Sequence, residues 1–240
     1  MKTVRSSFLT AEWRNLILAN YIIDPSLLEA YLPVKTELDY FNDQTYVSLV
    51  GFQFNKTRLK GIGIPFHQNF LEVNLRFYVR YNDAGIWKRG TVFISEIVPR
   101  RAITFVANTI YHERYRTMKM KYHEYVKDGT LHLGYQWKLN NLWFDMRVEG
   151  AEESIDMDTN TLEEFITEHY WGYSKQKNGR TIQYEVSHPR WKIQSVRNFN
   201  IDVDFCKLYG EKFRSLNGCI PASVILTPGS SVSVFNKTIL

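Results

Sequence analysis

One predicted strand carries a carboxylate, an amide and a guanidinium at alternate positions. Residues 70–81, FLEVNLRFYVRY, alternate apolar and polar side chains, with Glu72, Asn74 and Arg76 on the polar side. Alternate residues of a strand share one face of its sheet. If that face lines an interior, Arg76 can bind a carboxylate ligand through two hydrogen bonds and Glu72 can act as an acid or base. A solvated face of a half-buried strand gives the same pattern, and both interpretations stay open.

Two lysines suggest a second kind of chemistry, that of a nucleophilic amine. Lys119 and Lys121 share one face of a predicted strand, with Met118 and Met120 on the other. A buried lysine close to another cation has a lowered pKa and can attack a carbonyl carbon. Two exposed lysines on a surface strand explain the same spacing, and this alternative is favoured because unpaired lysines are rarely buried.

His67, in the segment IPFHQNF just before the polar strand, is a candidate base or hydrogen-bond donor for the same site. A structural histidine that is already hydrogen-bonded is the more ordinary interpretation. The other histidines and the two cysteines lack the spacing of a metal site, and no phosphate-binding loop or nucleophilic serine motif is present. We therefore expect no metal and no cofactor.

The elements that must position these groups are mostly strands. Two strands, 70–81 and 86–98, flank a turn at 82–85 and predict a hairpin. A helix is predicted to begin at Pro99 and to extend through residue 113. Further strands are predicted at 13–23, 45–54, 119–125, 131–139, 144–148, 170–176, 180–193 and from 222 onward, and short helices at 24–33, 161–169 and 204–216.

The helices fall singly between strands, which predicts a β-dominated α+β fold. Closing the strands into a barrel would remove exposed sheet edges. The aromatic segment TEHYWGY (167–173) either walls a cavity or plugs one end of such a barrel, and the plug is favoured. Because the 240 residues contain no repeat or linker, we expect a single domain over residues 1–240.

Composition narrows the classes of function. The hydrophobic share is 44%, which is ample for a packed core, and the formal charge is only +5. The basic residues are scattered apart from one run at 119–127, so nucleic-acid binding is not favoured. The N-terminal segment lacks a signal peptide, and no apolar run is long enough to cross a membrane. These features predict a cytoplasmic protein that does not bind membranes.

Several longer runs resemble a known family. FLTAEWRNL, YVSLVGFQF, GIPFHQNFLEVNLRFYVR, VFISEIVPRRAI, EEFITEHYWGY and VSHPRWKI are similar to the hallmarks of the uncharacterised YqjF-like family. The likeness covers nearly the whole chain from Phe8 onward. It implies the acetoacetate decarboxylase-like fold, a cone-shaped β-barrel with a few short helices.

The likeness to acetoacetate decarboxylase itself rests on the order of elements. It implies that Glu72 takes the place of an active-site glutamate, and that the helix 99–112 leads through YRTMKMK into the catalytic strand. In the decarboxylase two adjacent lysines begin that strand, and one forms a Schiff base with the keto acid. Here the same register places Met120 at the Schiff-base position and Lys121 beside it, whereas a shifted register uses Lys119. The chain therefore departs from the decarboxylase pattern.

Together these features predict a small-molecule pocket inside a barrel. The resemblance implies a lyase acting on a small keto acid or carbonyl compound, with Glu72, Lys121 and Lys119 as catalytic candidates and Arg76, Asn74 and His67 as ligand-binding candidates. The missing lysine pair motivates the alternative of a non-catalytic binding or sensor barrel. A homo-oligomer is compatible with both functions.

Overall fold

Strands dominate the computed structural model, which describes residues 6–110, 114–176 and 178–240. The strands are β1 (Ser7–Ile23), β2 (Glu37–Leu38), β3 (Thr45–Leu59), β4 (Phe70–Asp83), β5 (Ile86–Val98), β6 (Tyr115–Thr117), β7 (Lys119–Lys127), β8 (Thr130–Leu139), β9 (Leu142–Asp156), β10 (Trp171–Lys175), β11 (Thr181–Ser187), β12 (Lys192–Asp202), β13 (Ser223–Phe235) and β14 (Thr238–Ile239). The α-helices are α1 (Arg101–Ile110), α2 (Leu162–Thr167) and α3 (Phe205–Tyr209), and 3-10 turns cover Pro25–Leu27, Glu29–Tyr31 and Glu211–Leu216. The predicted β-dominated fold is confirmed.

Seven strands close into a ring. Their order is β11, β10, β5, β4, β3, β1 and β13, and β13 pairs back onto β11. Neighbouring strands of the ring are antiparallel except β10 and β5, which are parallel. Closing the sheet in this way pairs strand edges that would otherwise lie open to other chains.

The remaining long strands form an arm that extends from the ring. Strands β12, β9, β8 and β7 follow β13 in that order, so β7 is the last strand of the path. The main hydrophobic core joins the outer face of the ring, for example Leu75 and Phe77 of β4, to Tyr135 and Trp137 of the arm. The arm therefore covers one face of the ring strands and leaves the opposite face for the interior.

A second apolar cluster lies on the inner face of the ring. It includes Leu16, Val50, Phe52 and Phe54, which alternate along the strands with residues of the main core. The ring strands are thus buried on both faces, one against the arm and one against the interior. Strands buried in this way are expected to be rich in apolar residues on both faces, and β3 is so over residues 46–54.

Local sequence signals explain most element boundaries, and two predictions need correction. The predicted hairpin of β4 and β5 is confirmed. The predicted helix at 24–33 is instead two 3-10 turns, since Asp24 caps the first and Leu32, placed before Pro33, is extended. The strand predicted at 144–148 is longer in the structure, since the polar stretch after it continues β9 to Asp156 by pairing with β12.

Helix α1 begins close to the predicted position, while residues 111–113 of the predicted helix lie outside the described residues. Residue 177, between the strands predicted at 170–176 and 180–193, also lies outside them. Within the described ranges, no helix has the length and apolar character that crossing a membrane requires.

Candidate functional site

A cavity of about 270 Å³ occupies the interior of the ring. Every ring strand contributes to its lining: Trp13 from β1, Val50 from β3, Glu72 from β4, Phe93 from β5, Trp171 from β10, Tyr184 from β11 and Val234 from β13. Helix α1 and the loop 60–69, between β3 and β4, add further lining residues. Pockets that bury small molecules are typically of this kind, concave and mostly apolar with a few placed polar groups.

The polar side of β4 faces this cavity. Phe70, Glu72, Asn74 and Arg76 all line it, whereas Leu75 and the other intervening residues pack into cores. Glu72 is only 2% exposed and Asn74 only 1% exposed, so the solvated-face interpretation of the alternation does not describe this strand. The structure brings the three predicted polar side chains of β4 together at one cavity.

Glu72 is a buried carboxyl group with two hydrogen-bond donors. Asn74 Nδ2 donates to its Oε1 at 2.9 Å, and the Tyr115 hydroxyl donates to its Oε2 at 3.1 Å. Burial raises the pKa of Glu72 to about 7, although both hydrogen bonds and the charge of Arg76 act in the opposite direction. A carboxyl group with such a pKa can both take and give a proton near neutral pH.

Tyr115 reaches Glu72 because α1 and β5 hold β6 in place. Strand β6 runs parallel to β5 with Tyr115 opposite Glu96. The Asn108 side chain of α1 donates to the carbonyl of Tyr115 at 3.0 Å and accepts from its N–H at 2.8 Å. Sequence reasoning missed Tyr115, although it opens the segment YRTMKMK that the family resemblance singled out.

Arg76 is a half-buried cation that forms no ion pair with any described residue. Its guanidinium lies 5.8 Å from the ring centre of Tyr78, and its Nε is buried without a hydrogen-bond partner in the described ranges. Its positive charge acts to lower the pKa of Glu72, of His169 and of His188, so it stands among all three. A cation in this setting favours an anionic partner.

His169 follows α2 and forms a buried pair with Asp39. Its Nε2 lies 3.0 Å from Asp39 Oδ2, and Arg89 Nε donates to the same oxygen at 2.6 Å. Burial acts to raise the pKa of the Asp39 carboxyl group. The hydrogen bonds from His169 and Arg89 have the larger combined effect, so this pKa is lowered. Burial lowers the pKa of His169 to about 4, so the imidazole is neutral at pH 7 and Nε2–H donates to Asp39.

His169 and Trp171 both line the cavity, so this part of TEHYWGY forms its wall rather than an end plug. The second ring nitrogen of His169, Nδ1, is buried without a hydrogen-bond partner among the described residues. With the proton on Nε2, Nδ1 carries a lone pair and can only accept. The pairing of His169 with Asp39 spans 130 positions and left no signal in the local sequence.

His67 also lines the cavity, from the loop between β3 and β4. Its Nδ1 lies 2.9 Å from the carbonyl oxygen of Pro65, to which it donates. The side chain is therefore part of the wall and is also held by a local backbone bond, as the structural interpretation expects.

The two predicted lysines do not join this site. Lys119 and Lys121 lie on β7, the last strand of the arm, and both are exposed. Neither lines the cavity, and Lys121 Nζ instead lies 4.6 Å from the ring centre of Trp143. The alternative of two exposed lysines therefore describes these residues. The registers that placed Lys119 or Lys121 in the site do not, because Tyr115 of β6 lines the cavity and no described residue of β7 does.

Comparison with known proteins agrees with the fold and the resemblance. The sequence profile of DUF2071, a family of uncharacterized conserved proteins, matches residues 10–231. The uncharacterized protein YqjF of Bacillus subtilis (strain 168) is 28% identical over 189 residues, which are 77% of this chain and 74% of that protein.

Solved structures with the same fold include two proteins that act on or bind small molecules. Acetoacetate decarboxylase from Legionella pneumophila superposes with a TM-score of 0.65 at 14% identity, covering 100% of this chain and 90% of that one. The enduracididine biosynthesis enzyme MppR, complexed with pyruvate, superposes with a TM-score of 0.67 at 11% identity, covering 99% and 92%. At these identities the likeness concerns the fold alone.

Proposed function

We propose that this chain, which belongs to the DUF2071 family, binds a small carboxylic acid or carbonyl compound inside the ring and moves a proton at the carbon beside the carbonyl group. The enolate formed in this way is also the intermediate through which a lyase breaks a bond next to a carbonyl group, so the proton transfer is one step of lyase-like chemistry. One observation carries the proposal: Arg76 lines a largely apolar cavity without an ion pair in the described chain, next to a carboxyl group whose pKa is about 7.

Arg76 supplies the binding half of the proposal. Burying a cation without a counter-ion costs free energy, and a ligand carboxylate would offset that cost. The planar guanidinium can hold a carboxylate through two parallel hydrogen bonds, which also fixes the orientation of the ligand. The fold neighbour MppR is complexed with pyruvate, a small 2-oxo acid, which agrees with this ligand class.

Glu72 supplies the chemical half. Near pH 7 the carboxylate and the carboxylic acid are both populated, so Glu72 can remove a proton from the carbon and later return it. The electron pair left by the proton moves into an enolate, and a nearby cation such as Arg76 stabilises the enolate oxygen. Asn74 and Tyr115 hold the Glu72 carboxyl in one orientation through their hydrogen bonds.

Schiff-base chemistry is not part of this proposal. None of the described residues that line the cavity is a lysine, and Lys119 and Lys121 are exposed on the arm. Proton transfer by Glu72 needs no amine.

Proton exchange tests the proposal directly. The purified protein is incubated with pyruvate or 2-oxobutanoate in D₂O, and the loss of the proton signal beside the carbonyl is followed by NMR. We expect the protein to accelerate exchange over buffer, and Glu72→Gln to reduce this acceleration by roughly 100-fold or more. Lys121→Gln, a charge-removing change outside the cavity, serves as the matched control. Exchange that is equally fast in Glu72→Gln would remove Glu72 from the reaction.

A non-catalytic binding protein is the second candidate, and the absence of lysine from the described cavity wall favours it. It predicts that an acid ligand raises the melting temperature while remaining chemically unchanged. Arg76→Gln should abolish that stabilisation. Consumption or proton exchange of the bound ligand would exclude this candidate.

A further inference from the structure

Most of the described cavity lining is apolar and cannot hydrogen-bond a small polar molecule. Its acidic and arginine side chains come from β4 and β5, namely Glu72, Arg76 and Glu96. The larger share is apolar or aromatic, for example Trp13, Phe52, Phe54, Phe70, Val106 and Trp191. A ligand as small as pyruvate would leave this apolar surface uncovered.

The size of the cavity leads to the same conclusion. An apolar cavity of roughly 150 Å³ holds one benzene ring. The cavity here measures about 270 Å³, which leaves space for an aromatic ring or a comparable aliphatic group in addition to an acid head.

The aromatic side chains of the lining contact one another edge-on or by stacking, and an aromatic ring of a ligand can make the same kinds of contact. Trp13 meets Phe52 edge-on with ring centres 5.5 Å apart, and it meets Trp191 in the same way at 6.3 Å. Phe54 and Phe70 stack at 4.6 Å. Both arrangements are attractive for aromatic pairs, so an aryl group of a ligand gains more here than burial alone provides.

The cavity opens beside α1 and the loop 60–69. Among the described lining residues, the exposed ones are Ile64, Ala102 and Val106. The same two segments expose further large apolar side chains, since Phe66 is 86% and Phe105 71% exposed. Exposed apolar surface next to a cavity marks a place where an apolar ligand or partner makes contact.

We infer that the ligand is an acid or carbonyl compound with an apolar body of roughly six to ten carbons, aromatic or aliphatic, which extends from the Arg76 side of the cavity toward α1 and the loop 60–69. This inference rests on the proposed function for the polar head. It adds the apolar body, which the lining, the volume and the opening support independently of any reaction.

A series of 2-oxo acids with one common head tests the inference. Dissociation constants are measured by calorimetry for pyruvate, 2-oxohexanoate, 2-oxooctanoate and 4-phenyl-2-oxobutanoate. We expect affinity to rise about fourfold for each methylene group that becomes buried, so 2-oxooctanoate should bind at least 100-fold more tightly than pyruvate. Equal affinities along the series, or tightest binding of pyruvate, would overturn the inference.

Two variants on α1 localise the apolar body. Val106→Asp places a charge at the opening, and we expect it to weaken the binding of 2-oxooctanoate at least tenfold more than the binding of pyruvate. Thr109→Asp makes a comparable change on an exposed position of α1 that does not line the cavity, and it should alter neither ligand. Equal weakening by both variants, or by neither, would contradict an exit path along α1.

A headless probe separates this inference from the proposed function. 4-Phenylbutanol has the apolar body without the acid or the carbonyl group. If it binds while no oxo acid does, the inferred apolar body is supported and the proposed acid or carbonyl head group is overturned. If oxo acids bind without a chain-length effect, the proposed function stands and the inference falls. If neither the probe nor any oxo acid binds, both are overturned.

Discussion

The two faces of β4 are both buried, but one packs into the main core and the other lines the cavity. On the outer face, Val73, Leu75 and Phe77 are fully buried in the main core. On the inner face, Glu72 and Asn74 are almost as deeply buried, but they surround a cavity. Burying a carboxyl group costs free energy that burying a phenyl ring does not. The outer face therefore stabilises the fold, whereas the inner face keeps polar groups whose burial is offset only in part, by the hydrogen bonds that Asn74 and Tyr115 donate to Glu72.

Substituting one residue from each face should produce the largest contrast. We expect Phe77→Ala to lower the free energy of unfolding by about 3–5 kcal/mol, because it leaves a cavity in the main core. Arg76→Met on the inner face should leave that free energy unchanged or raise it, since it removes a half-buried cation that has no described ion pair. Urea denaturation of both variants measures the difference. A large loss of stability in Arg76→Met would mean that the inner face is structural.

The second effect is a dependence of stability on pH. Because folding raises the pKa of Glu72 from 4.5 to about 7, the folded state binds its proton more tightly. The stability from Glu72 is therefore fully present below pH 4.5 and is lost as the pH rises to about 7. His169 has the opposite sign, since its lowered pKa of about 4 makes stability increase with pH between about 4 and 6.5.

The two groups thus oppose each other over nearly the same pH range. Glu72→Gln removes only the first contribution. From pH 4.5 to 7 its stability relative to the wild-type protein should rise by on the order of 3 kcal/mol. Denaturation curves at several pH values test this, with Lys119→Gln as a control that should follow the wild type. A constant difference between Glu72→Gln and wild type would show that the Glu72 pKa does not change on folding.

A smaller effect is expected from Tyr115. Its hydroxyl donates to Glu72 and acts to lower the pKa of that carboxyl group. Tyr115→Phe should raise the pKa of Glu72 further, by at most about one unit, which corresponds to about 1.4 kcal/mol. The carboxyl carbon of Glu72, followed by NMR during a pH titration, reports the change. A shift toward lower pH would contradict the hydrogen bond.

The smallest effect concerns the arm. Lys119 and Lys121 lie outside the cavity, so their substitution by Gln should change stability by less than about 0.5 kcal/mol and leave ligand binding intact. Borohydride reduction with keto acids, followed by peptide mapping, should find neither lysine modified. A stable adduct on either residue would falsify the assignment of the site to the ring.

Features formed by residues close together in the sequence could be predicted, whereas contacts between distant segments could not. The β4–β5 hairpin was predictable because its strands and turn are contiguous, and Glu72, Asn74 and Arg76 group together because alternate residues of a strand share a face. The same pattern could not distinguish a solvated face from a cavity face, since both are polar. That distinction depends on the closure of the ring.

Residues supplied by distant segments were missed. Tyr115 lies 43 positions from Glu72, and Asp39 lies 130 positions from His169. Neither pairing leaves a periodic signal, because it is produced by strand order rather than by local spacing. For the same reason the sequence alone could not decide between a site position for the two lysines and the favoured exposed position, since nothing in YRTMKMK indicates that β6 pairs with β5 while β7 ends the arm.

The ring is not joined equally well all the way round. The ladders that join β13, β1, β3, β4 and β5 are long, whereas in the described ranges β10 pairs with β5 at Trp171 and Gly172 only, and β11 pairs with β13 at Val186 and Ser187 only. Gly90 belongs to the first junction, where a side chain would collide with the Trp171 carbonyl oxygen. The hairpin of β10 and β11 thus has the shortest ladders to its neighbours in the ring, although β11 also pairs with β14. Regions of this kind open locally at a lower free energy than the rest of a domain.

Trp171, Tyr184 and Val186 on this hairpin line the cavity. Transient release of the two strands would therefore give the interior a second exit and set an upper limit on how long any occupant stays.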